Sequence, residues 1–287
     1  MLVIGTVGEI WRYPVKSMAG ERIASCAVGT LGIPGDRGWA IRDEKAGEIR
    51  GAKKIPQLMR CSAHYVAEPD GSSTPAAEIT FPDGSKTRAG DKQTEARLSE
   101  LIGRPVTLWP IQPPDRRDFY RRSAPDNPDM LVELREIFGR RDDEPLPDMG
   151  MFPAEILEFT SPLGTYFDVC PIHLLTTASL AELSRINPGA NFDVRRFRPN
   201  FLVNTNDKVT GFQETAWSGR TLRIGEARIK IDMPTVRCVM PTLEQPELPK
   251  DPSVLRTIVK HAEQNVGLYA SVARPGRVRV GDEVALE

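Results

Sequence analysis

The chain has 287 residues, of which 40% are hydrophobic, and its formal net charge at pH 7 is −1. This length allows one large domain or two ordinary ones, each with a real core. The near-neutral charge argues against general nucleic-acid binding, which depends on a large positive excess. No stretch approaches the roughly 18 apolar residues of a membrane span, and no signal peptide is predicted at the N-terminus. We therefore expect a cytoplasmic protein that binds neither nucleic acid nor membrane.

The cysteine pattern agrees with a reducing compartment. The chain contains no C-x-x-C pair, which argues against a structural zinc site. Without a secretion signal, disulfides are not expected either. We therefore predict four free thiols, most of them buried packing residues. They are Cys26, Cys61, Cys170 and Cys238.

The first 110 residues are predicted to be mostly β. Short apolar or β-branched runs alternate with turn-forming clusters of proline, glycine and aspartate. Strands are predicted over residues 3–11, 23–28, 39–42, 60–66, 78–81 and 106–110, and one helix over residues 91–102. Closely spaced strands with polar turns favour a sheet or barrel. Residues 1–110 are therefore interpreted as one β domain.

Residues 111–150 have a different composition. They are rich in proline, aspartate and arginine, apart from a short helical patch over residues 130–138. Such a charged, proline-rich run is typical of a solvent-exposed connection. We interpret these residues as a connecting segment between two domains.

A second, mixed domain is predicted over residues 151–287. One helix is expected over residues 171–186, capped by Thr176 or Thr177, and another over residues 253–263. Strands are predicted over residues 200–204, in a hairpin over residues 221–231, and around residues 281–282.

Cys238 is the first candidate for a functional side chain. It follows Arg237, in a stretch that Pro234 and Pro241 keep out of a helix. A thiolate is the nucleophilic and metal-binding form of cysteine, and a neighbouring cation favours it. An irregular connection after the strand predicted to end at residue 231 is a common place for functional side chains. On these grounds Cys238 could serve packing, redox chemistry, nucleophilic attack or metal binding.

A cluster of three arginines precedes the strand predicted at residue 200. Arg195, Arg196 and Arg198 repel one another unless they splay apart or meet an anion, and Asn200 adds an amide that donates and accepts. The run fits either a surface segment or a site for an anionic, nitrogen-rich ligand.

Two turns near the N-terminus carry weaker signals. Lys16 and Ser17 offer a cation and a hydroxyl, a pair that suits phosphate. The glycine-rich stretch GTLGIPGDRG predicts a tight loop or, alternatively, close backbone approach to a ligand with Arg37 aimed at it. The three histidines stand far apart in apolar company and are interpreted as structural. They are His64, His173 and His261.

Several stretches, taken in order, resemble a known family. They are YPVKSM, LGIPGDRGWAI, RRFRPNFLV, RC-x-x-x-T around Cys238, and a closing N-x-G-x-Y-A…G-x-V-x-V-G-D. Together they resemble a MOSC domain protein with an N-terminal MOSC β-barrel, of the bacterial type related to the mitochondrial amidoxime-reducing component. The resemblance implies a mainly β fold with some α (α+β). It places an N-terminal MOSC β-barrel before a C-terminal MOSC-type β-barrel domain with peripheral helices, and a cleft between them.

The resemblance also implies a molybdenum cofactor, in which a pyranopterin dithiolene (Mo-molybdopterin) binds one metal. Cys238, the cysteine at the motif position, is implied as metal ligand and catalytic residue. The implied cofactor contacts are Lys16, Ser17, Arg37, Arg198 and Asn200. Cations and hydroxyls suit the terminal phosphate of the pterin, and arginine and asparagine suit its heterocycle. Pyridoxal phosphate binding is a further association of the resemblance.

The implied reaction is two-electron oxo transfer, for instance reduction of a small N-hydroxylated substrate. Electrons would come from an external partner protein, because the chain has no four-cysteine ferredoxin pattern. Val236 and residues 243–246 depart from the pattern of the reductase relatives, which leaves two alternatives open. Cys238 could instead carry a persulfide in a sulfur-carrier or cofactor-handling protein, or the chain could bind the pterin without catalysis.

Overall fold

A computed structural model describes all 287 residues. The strands are β1 (Leu2–Arg12), β2 (Glu21–Ile23), β3 (Ser25–Val28), β4 (Trp39–Asp43), β5 (Glu48–Arg50), β6 (Ser62–Tyr65), β7 (Ala77–Thr80), β8 (Lys86–Arg88), β9 (Val106–Pro110), β10 (Ile172–Thr176), β11 (Phe201–Thr205), β12 (Thr221–Ile224), β13 (Ala227–Val236), β14 (Asn265–Arg274), β15 (Gly276–Arg279) and β16 (Glu283–Leu286). The helices are α1 (Lys92–Ile102), α2 (Arg117–Tyr120), α3 (Met130–Phe138), α4 (Glu155–Glu158), α5 (Thr177–Ile186), α6 (Val194–Phe197) and α7 (Pro252–His261). The fold is mainly β with added helices, as predicted.

A closed seven-stranded barrel forms the larger β unit. The strand order is β11-β10-β14-β13-β12-β16-β1, and β1 pairs antiparallel with β11 to close it. Side chains point alternately to the interior and the outside along a barrel strand. The interior side chains belong to one cluster of 22 buried residues, to which β3, β15 and loop residues also contribute. Apart from β1, every barrel strand begins after residue 171. The N-terminal strand therefore joins the two halves of the chain.

A smaller β unit is built from β4 to β9 and α1, whereas β2 pairs with β1 of the barrel and β3 pairs with β15. The smaller unit contains two three-stranded sheets, β5-β4-β9 and β6-β7-β8, and α1 packs with β9. Its core also contains Met240 and Leu243 from the C-terminal half, and Cys238 packs against it. The residues that follow Cys238 are therefore anchored in the N-terminal unit.

The prediction of a helix over residues 171–186 is only partly correct. Its first residues form β10, which pairs parallel with β11 and antiparallel with β14. All five β10 residues are buried, so the strand lacks the alternation that would distinguish it from a helix. The predicted cap is confirmed, because the Thr176 hydroxyl accepts from the Ser179 amide at 3.1 Å and α5 begins there.

The strand before Cys238 is longer than predicted. Strand β13 continues to Val236, so Pro234 lies inside it. Its pairing with β14 shifts register between Ile231 and Met233 and again between Pro234 and Val236. Such irregularities accommodate a residue that has no amide hydrogen to donate.

The segment over residues 111–150 is less exposed than its composition predicts. The side chain of Tyr120 is 0% exposed, and Phe138 and Arg140 are buried as well. Tyr120 packs with Phe119, Phe159 and other apolar residues in a small cluster. A few buried aromatic side chains, set among charged residues in the sequence, thus anchor the segment to the rest of the protein. None of the helices combines the length and apolar character that crossing a membrane requires.

Candidate functional site

A cleft is lined by residues of both β units. It encloses about 680 Å³, counting solvent at its open mouth. All six residues implied by the resemblance line it, although they come from both ends of the chain. They are Lys16, Ser17, Arg37, Arg198, Asn200 and Cys238.

Cys238 lies just beyond the end of β13 and is partly buried. The next amide, that of Val239, donates to the Ile137 carbonyl at 3.2 Å, and Met240 is buried in the smaller core. The thiol is therefore held at the cleft by anchors on its C-terminal side. All four cysteines are free; Cys170 also lines the cleft, whereas the other two are buried in the cores.

Arg198 is a buried cation whose partners are uncharged. Its side chain donates to the Met18 carbonyl, and its nearest other acceptor is the Met59 sulfur at 4.0 Å. The guanidinium carbon lies 4.2 Å from the centroid of the Tyr13 ring. Burial lowers the pKa of Arg198 to about 10, and the nearby Arg37 adds to the effect. An anion in the cleft would offset both the cost of burying the charge and the repulsion from Arg37.

Arg237 is a second buried cation without a carboxylate partner. Its Nη2 donates to the Phe197 carbonyl at 3.0 Å, and its Nη1 lies 3.3 Å from His173 Nε2. Its Nε has no hydrogen-bond partner and is inaccessible to solvent. Burying a charge is unfavourable unless another charge compensates it. Arg198 and Arg237 together mark the cleft as a site for an anion.

Arg37 differs from these two because it has a carboxylate partner. It pairs with Asp36, and its guanidinium carbon lies 4.6 Å from the Tyr13 ring centroid. Tyr13 therefore contacts two arginines through cation–π interactions. This arrangement brings like charges close together on one wall of the cleft.

Asp168 lines the cleft and pairs with two lysines, of which Lys16 also lines it. Its Oδ1 lies 2.6 Å from Lys16 Nζ and its Oδ2 lies 3.0 Å from Lys53 Nζ. Although burial alone would raise the pKa of Asp168, the two lysines hold it well below its usual range. No motif of the sequence points to Asp168 or Lys53, since only the fold brings them to Lys16.

Asn200 and Ser17 are engaged with the protein itself. The Asn200 side-chain oxygen accepts from the His173 amide at 3.0 Å, and its nitrogen donates to Asp36 at 2.9 Å. The Ser17 hydroxyl accepts from the Ala52 amide at 2.9 Å. Both side chains therefore fix the walls of the cleft, and only their remaining hydrogen-bonding capacity is open to a ligand.

Backbone strain is concentrated at the cleft. Six residues other than glycine have positive φ angles, and three of them line the cleft: Ser17 (68°), Arg37 (50°) and Arg198 (57°). The left-handed region is sparsely populated by such residues. Strain of this kind persists where the surroundings impose it, and it gathers at functional sites. The strained backbone therefore supports the cleft as the functional site, as do the buried arginines Arg198 and Arg237.

Comparison with known proteins identifies two family domains in the chain. Residues 4–101 match the family described as MOSC N-terminal beta barrel domain, and residues 165–285 match the MOSC domain. Mitochondrial amidoxime reducing component 2 of Homo sapiens is 25% identical over 312 residues, which span 98% of this chain and 83% of that protein. Mitochondrial amidoxime-reducing component 1 of the same organism is 24% identical and spans 99% of this chain and 83% of its own length.

Two further similarities are more distant. The molybdenum cofactor sulfurase of Oryza sativa subsp. japonica is 24% identical over 81% of this chain, which corresponds to 28% of that protein. Among solved structures, the YUAD protein from Bacillus subtilis aligns over 100% of this chain and 97% of its own, at 12% identity and a TM-score of 0.45. With both of its β units matched, the chain belongs to the MOSC domain proteins that carry an N-terminal MOSC β-barrel domain.

Proposed function

We propose that this protein binds a molybdenum cofactor in the cleft and catalyses two-electron oxo transfer on a small molecule. The observation that carries the proposal is the pair of buried arginines, Arg198 and Arg237, which line the cleft of Cys238 without a carboxylate partner. The names of the relatives, two amidoxime reducing components and a molybdenum cofactor sulfurase, support a cofactor of this class.

The side chains of the cleft fit such a cofactor chemically. Its phosphate and nitrogen-rich ring need cations and hydrogen-bond donors. Arg237 Nε and Thr235 Oγ1 are buried donors without a partner in the protein, and buried polar groups normally have one. Cys238 offers a soft sulfur ligand, which suits a soft metal centre better than oxygen does.

Each residue then has a definite part. Cys238 would hold the metal, while Arg198 and Arg237 would bind the anionic part of the cofactor. When bound, the cofactor supplies the oxo-transfer chemistry, and the protein supplies binding, orientation and control of solvent access. Asp168 would keep Lys16 and Lys53 in place at the edge of the cleft.

We further propose that the substrate is N-hydroxylated and that electrons come from a separate protein. The names of the full-length relatives support an amidoxime as the first substrate to test. The chain's four cysteines lie far apart in sequence and include no iron–sulfur pattern, which supports an external donor. A chemical donor such as a reduced viologen can replace it in the first assay.

Metal content tests the proposal directly. We would purify the wild type, Cys238→Ala and Cys170→Ala from a molybdenum-replete host and measure molybdenum per chain. Cys170 is the matched control, since it also lines the cleft. We expect the metal in the wild type and the control, and a loss of about tenfold or more in Cys238→Ala, as for other ligand-shell changes.

The alternatives give different results. A metal-free wild type that accepts sulfur from a cysteine desulfurase at Cys238 would indicate a sulfur carrier instead. Molybdenum bound equally well by Cys238→Ala would rule out Cys238 as the ligand. A loaded protein that reduces neither amidoximes nor other N-hydroxylated compounds would indicate cofactor binding without this catalysis.

A further inference from the structure

We infer that Arg140 is a positioning residue that fixes the cysteine loop, residues 237–240, from outside the cleft. Arg140 lies in the charged segment that the sequence predicts to be a solvent-exposed connection. In the structure its side chain is buried, with 6% exposed. The inference concerns the protein's own geometry, and it rests on the proposed function only for its effect on the cofactor.

The contacts of Arg140 are all hydrogen bonds to uncharged groups. Its Nη2 donates to the Arg237 carbonyl at 2.9 Å, and its Nη1 donates to the Phe138 carbonyl at 2.6 Å. Its Nε and Nη2 also lie 3.1 and 3.0 Å from the side-chain oxygen of Gln264. The planar fork of donors, rather than an ion pair, therefore determines its place. Burial lowers the pKa of Arg140 to about 10, with Arg256 adding to the effect.

The carbonyl of Arg237 belongs to the peptide bond that leads into Cys238. The amide of Arg237 is held as well, because it donates to the Gln264 carbonyl at 2.8 Å. Arg140 and Gln264 thus hold both backbone polar groups of the residue before the cysteine. Val239, the residue after it, donates to the Ile137 carbonyl at 3.2 Å. The cysteine is therefore fixed on both sides, and two of these contacts come from residues 137–140.

The turn that carries Gln264 is strained. Glu263 and Gln264 have φ angles of 47° and 68°, consecutive left-handed residues that are not glycine. Such a conformation persists only where its surroundings impose it. The two contacts from Arg140 to the Gln264 side chain are part of what holds it. Arg140 therefore acts on the cysteine loop directly and also through Gln264.

Arg140 lies outside both family matches, which cover residues 4–101 and 165–285. The support for the cysteine loop therefore comes from a part of the chain that neither family describes. Partners that hold a ligand-bearing segment from behind affect metal binding strongly, by about 10–100-fold in affinity where they have been removed.

Hydrogen exchange on cofactor-free protein tests the inference without any metal. We compare the wild type, Arg140→Met and the control Arg141→Met, whose side chain is exposed. Peptides covering residues 236–240 are expected to exchange about tenfold faster in Arg140→Met, because a buried hydrogen bond that holds the loop is lost. Barrel strands and the control should exchange at the wild-type rate. Arg140→Lys keeps the charge but not the fork, so we expect its exchange to resemble that of Arg140→Met.

Three results would overturn the inference. They are unchanged exchange at residues 236–240, equally faster exchange throughout the barrel, and full protection in Arg140→Lys. If Arg140→Met does not fold, Gln264→Ala removes the shared acceptor and should give the same local increase. In loaded protein, molybdenum per chain should fall about tenfold in Arg140→Met. A wild type without molybdenum contradicts the proposed function and leaves the exchange result to decide the role of Arg140.

Discussion

His173 links Arg198 and Arg237, the two buried arginines of the cleft that lack a carboxylate partner. Its Nε2 lies 3.3 Å from Nη1 of Arg237, and its Nδ1 lies 3.3 Å from the carbonyl oxygen of Arg198. Burial lowers the pKa of His173 well below its usual value, and the charge of Arg237 lowers it further. The ring is therefore neutral, with Nδ1 as the donor and Nε2 as the acceptor. The sequence predicts that the histidines are structural, and in the folded protein His173 lies in the wall of the cleft.

A neutral buried His173 makes the stability of the protein depend on pH. In the unfolded chain it binds a proton below about pH 6.5, whereas in the folded protein it does not. Its contribution is therefore complete above that pH and is lost as the pH falls, by up to about 1.4 kcal/mol per unit. Below about pH 6.5, we expect the unfolding free energy of the cofactor-free wild type to fall relative to that of His173→Leu. Urea denaturation across this range measures it, and a difference independent of pH would contradict a neutral ring.

Gly267 provides the space that His173 occupies. Its φ angle is 82°, and an added Cβ would lie 2.6 Å from His173 Nε2 and 2.6 Å from the Leu174 carbonyl oxygen. We expect Gly267→Ala to lower the unfolding free energy by about 1–3 kcal/mol, through strain and overpacking. Gly281→Ala is the matched control, because Gly281 has a φ angle of 91° and no neighbour within 4 Å of the added atom. Equal losses in the two variants, measured by chemical denaturation, would show that the contact with His173 contributes nothing.

The sequence names Cys238 and Arg198 as candidates through two short motifs of the family resemblance, and the fold places both of them in the cleft. The sequence was not sufficient for Asp168 and Lys53, which are 115 residues apart and meet Lys16 only through the fold. Local patterns likewise predicted most strands near their observed positions. They could not reveal that β1 closes the C-terminal barrel against β11, since pairing partners are set by distant residues.

Two predictions failed because burial depends on contacts from outside the segment. Strand β10 was assigned to a helix because all five of its residues are buried, which removes the alternation of a half-exposed strand. The segment containing Arg140 was expected to be exposed because charge dominates its composition. Burial there depends on uncharged partners such as the Arg237 carbonyl, which no pattern within the segment indicates.

Arg198 should matter more for the cofactor than for the fold. In cofactor-free protein its burial is costly and its hydrogen-bond partners are uncharged, so a methionine of similar length should change the unfolding free energy by no more than about 1–2 kcal/mol. Molybdenum per chain should fall about tenfold in Arg198→Met. Metal analysis and denaturation of the same preparations compare the two effects. A large loss of stability in the cofactor-free variant, with the metal retained, would make this arginine structural.

Asp168 sets the balance of charge in the cleft, where it opposes Lys16 and Lys53. Asp168→Asn keeps the shape of the side chain but leaves both ammonium groups without a counter-charge. Because 41% of the Asp168 side chain is exposed, solvent weakens these pairs, and we expect the melting temperature to fall by no more than about 2–4 °C. Inorganic phosphate should then stabilise the cofactor-free variant more than the wild type, since the added anion replaces the lost carboxylate. Asp118→Asn removes one charge from a side chain that is fully exposed and should respond to phosphate as the wild type does. A phosphate response of equal size in all three proteins would mean that the cleft lysines do not bind an anion when Asp168 is removed.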